Sequence, residues 1–571
     1  MRPIDVPTMD RHLIVLSGLI IAQILLAGCE SGGDASCTTE NIRTTTGQVC
    51  GSAVNVEGVP AAQAVSSPTA SVTGSLSAAA DSPANAAHVF LGIPYAESTA
   101  GANRWAPPVP KAPFTGVLRA TKRGPMCPQG TDAAFSAGGN TTSEDCLSLN
   151  IFRPARATDG TPRTVLVWIH GGAFVLGAGS LPLYDGSYLA TKHDVIVVTF
   201  NYRLGALGFL AGVDGLTGNY GLQDQQLALT WVRDNIAAFG GDPNRVLLFG
   251  ESAGAMSTGL HALSVPSSRG LFRAILMQSN PIGLPYKTLT GAAVTGETFK
   301  TLVGCTFEGL SCLRSVPADT IVANQLKSSL VAGDLTLLGA SGVLPWAPVI
   351  DGTFVTKGPV VSAQTGGLTL PVQLGSNSGE GFLFAQGIAD AAFGGSIGKA
   401  AYETFLARLF GLSNVSGIVQ RYGSVTGNNT TNLANVITDY AFGCANRFVA
   451  RQATGTIYVY EFTETSYNIW GNSIPLCVGQ ACHADDLVFT FHTDKQKGFT
   501  FTQEQATLSD QMTAYWTSFA KTFNPNTSGI LAWPAFTSQG LQYQQLHGPQ
   551  LSTLVNPYGN CDYWDQIGYN L

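Results

Sequence analysis

Charge is scarce in this sequence: Asp, Glu, Lys and Arg supply only 12% of its 571 residues, about half the usual share of roughly 25%. No basic run occurs, and 37 acidic against 30 basic residues leave a net charge of −7, which speaks against a nucleic-acid partner. The 66 glycines follow no three-residue period, so a collagen-like chain is excluded. The cysteines form no CxxC pair, so no zinc site is expected, nor any other metal or cofactor. After the N-terminal segment no apolar run approaches the ~18 residues that a membrane span needs. What is plentiful is apolar residues, 45% of the chain, and that excludes an intrinsically disordered polymer. Length alone would suggest about four average domains, yet the composition never breaks into a second regime, so one large domain is the economical reading.

The N-terminus reads as an address. Leu13 through Leu26 is apolar, follows Arg11 and His12, and is too short to cross a bilayer comfortably, as expected of a signal peptide. Met9 offers an alternative start. The segment ends Leu26-Ala27-Gly28-Cys29, similar to the bacterial lipobox, in which the cysteine is lipidated and becomes the new N-terminus. An ordinary small-residue cleavage site is the alternative. A Ser/Gly-rich tether follows at Ser31-Gly32-Gly33. Residues 1–29 are thus expected to be the signal peptide with lipobox and 30–46 the tether. An extracytoplasmic location follows, either as an envelope lipoprotein or as a secreted protein, with Cys29 the only link to a membrane. Eleven cysteines minus Cys29 leave ten, an even number that suits disulfides in an oxidising compartment. Close spacing suggests Cys37 with Cys50, Cys305 with Cys312, and Cys477 with Cys482. A bridge from Cys127 to Cys146 would close a loop worth roughly 3 kcal/mol.

Ser52 to Ala87 is Ala/Ser-rich and reads as a surface excursion. Beyond it, Thr164–Ile169, Val195–Phe200 and Val246–Phe249 are continuous apolar, β-branched runs, the pattern of strands buried on both faces. Between the last two, Leu222–Ile236 carries Leu227, Trp231 and Val232 at helical spacing. Alternating strands and helices predict a mainly parallel sheet covered by helices.

Gly250-Glu251-Ser252-Ala253-Gly254 fits G-x-S-x-G. In so glycine-rich a chain the bare pattern is weak, and a second match stands at Gly394–Gly398. Context separates them: a nucleophile elbow needs a strand entering the serine and a helix leaving it. Ser252 has the run Val246–Phe249 before it; Ser396 follows Ala391-Ala392-Phe393 and reads as a turn leading into a helix. The N–H of Ala253, opening the new helix, can then face a developing oxyanion. His170-Gly171-Gly172-Ala173-Phe174 closes an early strand where a second set of backbone donors, Gly172 and Ala173, would sit. The triad order of this arrangement is serine, acid, histidine. The short strand Pro371–Leu374 runs into a loop, Gly375–Gly381, whose one carboxylate is Glu380. Beyond it stand His483, His492 and His547, of which His483, in the loop Cys482-His483-Ala484-Asp485-Asp486, is favoured by position.

These stretches, together with Gly92–Ala96, Ser143–Leu147 with Leu149-Asn150, Asn201-Tyr202-Arg203, Phe239–Pro243, Gly250–Ala255 and Gly270-Leu271-Phe272, resemble the type-B carboxylesterases, the cholinesterase-like α/β-hydrolases. The resemblance runs in order from about Gly47 to the C-terminus. Around Ser252 it is greatest to bacterial p-nitrobenzyl-type esterases. It implies an α/β-hydrolase fold, a large and mostly parallel central sheet covered by helices in a single catalytic domain, 47–571. It implies a serine carboxylic-ester hydrolase of small-molecule esters working through an acyl-enzyme. Ser252 would be the nucleophile, Glu380 the acid and His483 the base, with Gly172, Ala173 and Ala253 as oxyanion donors. Lipase, amidase or polyester hydrolysis would use the same triad, and a non-catalytic binding protein is the remaining alternative. The resemblance further implies Cys127–Cys146, Cys305–Cys312 and Cys444–Cys561 disulfides, and structural ion pairs Arg104–Glu144 and Arg203–Asp224. Two positions depart from the family pattern: Gly379 replaces the usual Asp before the acid, and Asn280 replaces the usual Gly after Gln278-Ser279, where it is expected to alter the pocket wall. The Cys477/Cys482 pair is unusual and is expected to rigidify the histidine loop.

Overall fold

The β-branched runs pair with one another at the centre of one sheet. The computed structural model describes residues 37–57, 85–130, 141–331 and 344–569. Among these residues the strands are β1 (Ile42–Thr44), β2 (Gly47–Cys50), β3 (Ser52–Asn55), β4 (Ala86–Pro94), β5 (Val117–Arg119), β6 (Ser148–Pro154) and β7 (Arg163–Ile169). They continue as β8 (Ile196–Phe200), β9 (Gly241–Glu251), β10 (Ala274–Gln278), β11 (Val372–Asn377), β12 (Ile457–Phe462), β13 (Gln542–Leu546) and β14 (Ser552–Val555). The large sheet has 11 strands in the order β14-β13-β12-β11-β10-β9-β7-β8-β6-β4-β3, and β1-β2-β5 form a small one.

From β8 across to β13 every neighbouring pair is parallel, while the pairs at both edges are antiparallel. Every residue of β7, β8, β10, β11 and β12 is buried, because helices cover both faces of a parallel sheet. Each buried Val, Leu or Ile contributes roughly 1.5–3 kcal/mol relative to exposure. Trp168 on β7 packs its ring against Tyr184, Phe249 and Phe491 at 5.2, 4.7 and 5.0 Å, locking the strand to segments that wall the site. In such sheets ligands bind beyond the carboxyl ends of the strands, and β7, β9 and β11 end there at Ile169, Glu251 and Asn377.

Several boundaries differ from expectation for local reasons. The helix expected at Leu222–Ile236 spans Tyr220–Asn235 and tightens into a 3-10 turn, Ile236–Phe239. β9 begins five residues before Val246; that first half is polar and pairs with β7 only through Arg163 and Gly241, so it carries no hydrophobic signature. The stretch 52–87 is not wholly an excursion: Ser52–Asn55 pairs antiparallel with Ala86–Val89. Within the stretch 30–46 expected as a tether, Ile42–Thr44 form β1 and Cys37 is bonded to Cys50. The expected signal peptide 1–29 with Cys29, residues 30–36 of the expected tether and residues 58–84 of the Ala/Ser-rich stretch lie outside the described residues. The ten remaining cysteines pair as Cys37–Cys50, Cys127–Cys146, Cys305–Cys312, Cys444–Cys561 and Cys477–Cys482. Arg104 grips Glu144 at 2.7 and 2.5 Å, and buried Arg203 grips buried Asp224 at 2.8 and 2.7 Å. No helix among the described residues is long and apolar enough to cross a membrane.

Candidate active site

β9 delivers Ser252 into a sharp turn with φ 56° and ψ −124°, a conformation costing roughly 1–3 kcal/mol that only a surrounding framework can hold. The helix Ala253–Leu263 starts at once. A Cβ on Gly254 would lie 2.0 Å from the carbonyl oxygen of Ile169, and one on Gly250 2.6 Å from that of Gly254. Strand and helix therefore cross closer than any side chain permits. The Ser252 N–H donates to the carbonyl of Gln278 at 3.1 Å, tying the elbow to β10. Ala253, as first helical residue, carries an N–H without an intrahelical acceptor at the positive end of the helix dipole.

Beyond β7, Ala173 and Phe174 adopt φ 53° and 62°. Buried His170 stacks on Tyr202 at 4.4 Å, whose hydroxyl donates to the His170 carbonyl at 2.9 Å. Gln129 clamps the far end of the loop, donating to the Gly177 carbonyl and accepting from the Gly177 N–H, both at 2.9 Å. The Cys127–Cys146 bridge anchors that glutamine from two residues away. Among the described residues the N–H groups of Gly172 and Ala173 have no acceptor, so both are available to a ligand.

Glu380 and His483 meet. β11 runs on to Asn377, and Glu380 is the first residue of the helix Glu380–Phe393 rather than part of a loop. Its Oε1 accepts the Asn377 N–H at 2.8 Å, and its Oε2 lies 2.5 Å from Nδ1 of His483. The other ring nitrogen, Nε2, lies 3.1 Å from Oε1 of Glu251, the residue preceding the serine. Ser252, Glu251 and His483 line one cavity, although no hydrogen bond joins Ser252 Oγ to Nε2. Such bonds are often long until substrate arrives.

Long-range contacts hold the histidine turn. The Trp470 indole donates to the His483 carbonyl at 2.7 Å, and Asn377 to that of Cys482 at 2.6 Å. Buried Asp485 accepts the N–H groups of Cys482 and Ile469, each at 2.7 Å. The Gly379 N–H donates to Ala481 at 2.9 Å, and a Cβ at 379 would stand 2.9 Å from that same oxygen. Glycine at 379 thus allows the bridged Cys477–Cys482 loop to lie directly on the turn that leads into Glu380. Burial alone would lower the imidazole of His483, but the carboxylates of Glu251 and Glu380 outweigh it and raise it to about 9. Burial also pushes Glu251 up to about 8, against the pull of His483 and with the like charges of Asp486 and Glu380.

The cavity is largely apolar, walled by Leu176, Leu183, Leu383, Phe384, Trp470 and Leu487, and Gly172 and Ala173 also line it. The competing candidates lie elsewhere. Ser396 is exposed between the helices Glu380–Phe393 and Lys399–Phe410. His492 stacks on Tyr188 at 3.8 Å and bonds Ser509 at 2.8 Å, and exposed His547 sits by the Thr463 carbonyl at 3.1 Å. Asn280 does not alter the pocket wall: its buried side chain turns under the elbow and donates to the carbonyl of Ala255 at 3.2 Å.

A family model described as the carboxylesterase family matches residues 61–564. The chain belongs to the carboxylesterase family. It is 33% identical over 498 residues to the "crystal protein" of Dictyostelium discoideum, covering 84% of this chain and 88% of that one. It is 33% identical over 525 residues to the acetylcholinesterase of Bungarus fasciatus, covering 84% and 82%. A solved PNB esterase superposes with a TM-score of 0.74 at 30% identity, covering 92% of this chain and 99% of that one. This carboxylesterase is accordingly a carboxylic ester hydrolase with an α/β-hydrolase fold. Sequence reasoning missed Gln129, Glu251 as the neighbour of Nε2, and Lys497 in the cavity wall. None carries a local signal, since each acts across a long stretch of chain.

Proposed function

We propose that this carboxylesterase hydrolyses small esters in two acyl-transfer steps, with Ser252 as nucleophile, His483 as general base and Glu380 as its orienting acid. Ser252 Oγ attacks the ester carbonyl while Nε2 of His483 takes its proton. Glu380 holds the ring through Nδ1 and stabilises the imidazolium. The N–H groups of Gly172, Ala173 and Ala253 receive the negative charge of the tetrahedral oxygen, and losing one such donor typically costs roughly 100- to 1000-fold in rate. His483 then protonates the leaving alcohol, and water repeats the sequence on the acyl-enzyme. The observation that carries this reading is the Glu380–His483 contact of 2.5 Å beside a strained serine in one apolar cavity.

Ser252→Ala should leave the fold intact and lower turnover of p-nitrophenyl esters by roughly 10⁴-fold or more. It should also abolish labelling by a serine-directed organophosphate. Turnover that survives would move suspicion to Ser396. Rates across chain length, beside an anilide and an emulsified triglyceride, define the substrate range.

The same reading takes 1–29 as a signal peptide with Cys29 lipidated, and the domain as running to 571. Five disulfides support an oxidising, extracytoplasmic compartment. Cys29→Ala should release the enzyme from the envelope into the medium, and an unchanged distribution would count against the anchor.

A further inference from the structure

Two lysines share one short turn and behave differently. On the 3-10 turn Lys495–Lys497, Lys495 points outward, more than half exposed, and ion-pairs with Glu57. Lys497 is half-buried and lines the cavity that holds Ser252 and His483. Burial pushes its ammonium down to about 7 with no carboxylate acting against that fall. Among the described residues it makes no ion pair. Among the described residues it is also the one lysine or arginine lining this cavity, in a wall built mainly from leucines and aromatic rings with Glu251 and His483 beside the serine. An amine taken from water without a partner is costly, and a mainly apolar pocket typically uses its few charged or polar groups to orient a ligand.

We infer that Lys497 is a specificity residue that receives a second, anionic oxygen group on the substrate, so that the enzyme favours esters bearing a free carboxylate on the acyl or alcohol side. This rests on the hydrolase reading above. A carboxylate on Nζ would supply the missing counter-charge inside a low-dielectric wall, where a charge-assisted hydrogen bond is stronger than in water.

Two substrate pairs distinguish the sides: mono-p-nitrophenyl adipate against p-nitrophenyl hexanoate for the acyl side, and 4-carboxyphenyl butyrate against phenyl butyrate for the alcohol side. In each pair the readout is the ratio of kcat/KM for the anionic over the neutral ester. Lys497→Met should lower that ratio by about tenfold or more on one pair, and Lys497→Arg, which keeps the charge, should retain most of it. A ratio moved less than about twofold on both pairs overturns the inference while leaving ester hydrolysis standing. Wild-type protein that turns over neither ester of either pair overturns the hydrolase reading and this inference with it. A second measurement needs no variant. Benzoate should inhibit phenyl butyrate hydrolysis more strongly than its neutral isostere benzamide, and equal inhibition constants would sink the proposal.

Discussion

The serine elbow and the histidine turn do equal work in the proposed chemistry but are built by opposite means. The elbow is local: five consecutive residues, a strand before them and a helix after, with Gly250 and Gly254 present because backbone occupies the space a side chain would need. The histidine turn is assembled from afar. Its neighbours come from Asn377, Gly379, Ile469 and Trp470, and the Cys477–Cys482 bridge staples it. A local device tolerates no change at its centre, whereas a distributed one should degrade by degrees.

The largest effect is expected where the elbow is tightest. Gly254→Val should abolish soluble, active protein, since its side chain would displace the Ile169 carbonyl; a folded, active variant by circular dichroism and assay would break the contrast. Glu380→Gln leaves the shape but favours the wrong imidazole tautomer, and should cost about 10³- to 10⁴-fold in kcat with little change in Tm. On the distributed side, Cys477→Ala with Cys482→Ala should lower stability by about 2 kcal/mol in chemical denaturation and slow turnover only several-fold. A loss as deep as that of Glu380→Gln would show that the turn is not redundantly held.

The smallest effect is on pH. The base must be neutral to act, and because carboxylates raise His483, protons stay on it to higher pH. The acidic limb of kcat/KM should therefore lie above 6.5, the ordinary histidine value, with activity rising as pH rises. Glu251→Gln removes one raising charge and should move that limb to lower pH. As His483 and Glu251 interact, the limb belongs to the pair, and a limb unmoved in Glu251→Gln would deny that coupling.

Much of the fold was legible because parallel strands buried on both faces, such as β7 and β8, leave continuous apolar runs. The first half of β9 left none, being polar and barely paired. At the site, Ser252 was legible from the strand before it and the glycines around it. His483 was favoured by position and singled out by resemblance, while Gln129 and Lys497 were not legible at all. A glutamine that clamps Gly177 looks like any surface glutamine until the chain closes, and Lys497 looks like its solvated neighbour Lys495.

By itself, the order of residues determined the elbow, the glycine-rich loop after β7 and the alternation of strand and helix, because each follows from steric or hydrophobic demands within a few residues. Only the tertiary structure decided that Glu380 would face His483 across 103 positions, that Glu251 would sit against Nε2, and that one lysine of a pair would turn into the cavity. Those outcomes depend on where separate loops land over a common sheet edge, and burial and charge act there through space rather than along the chain.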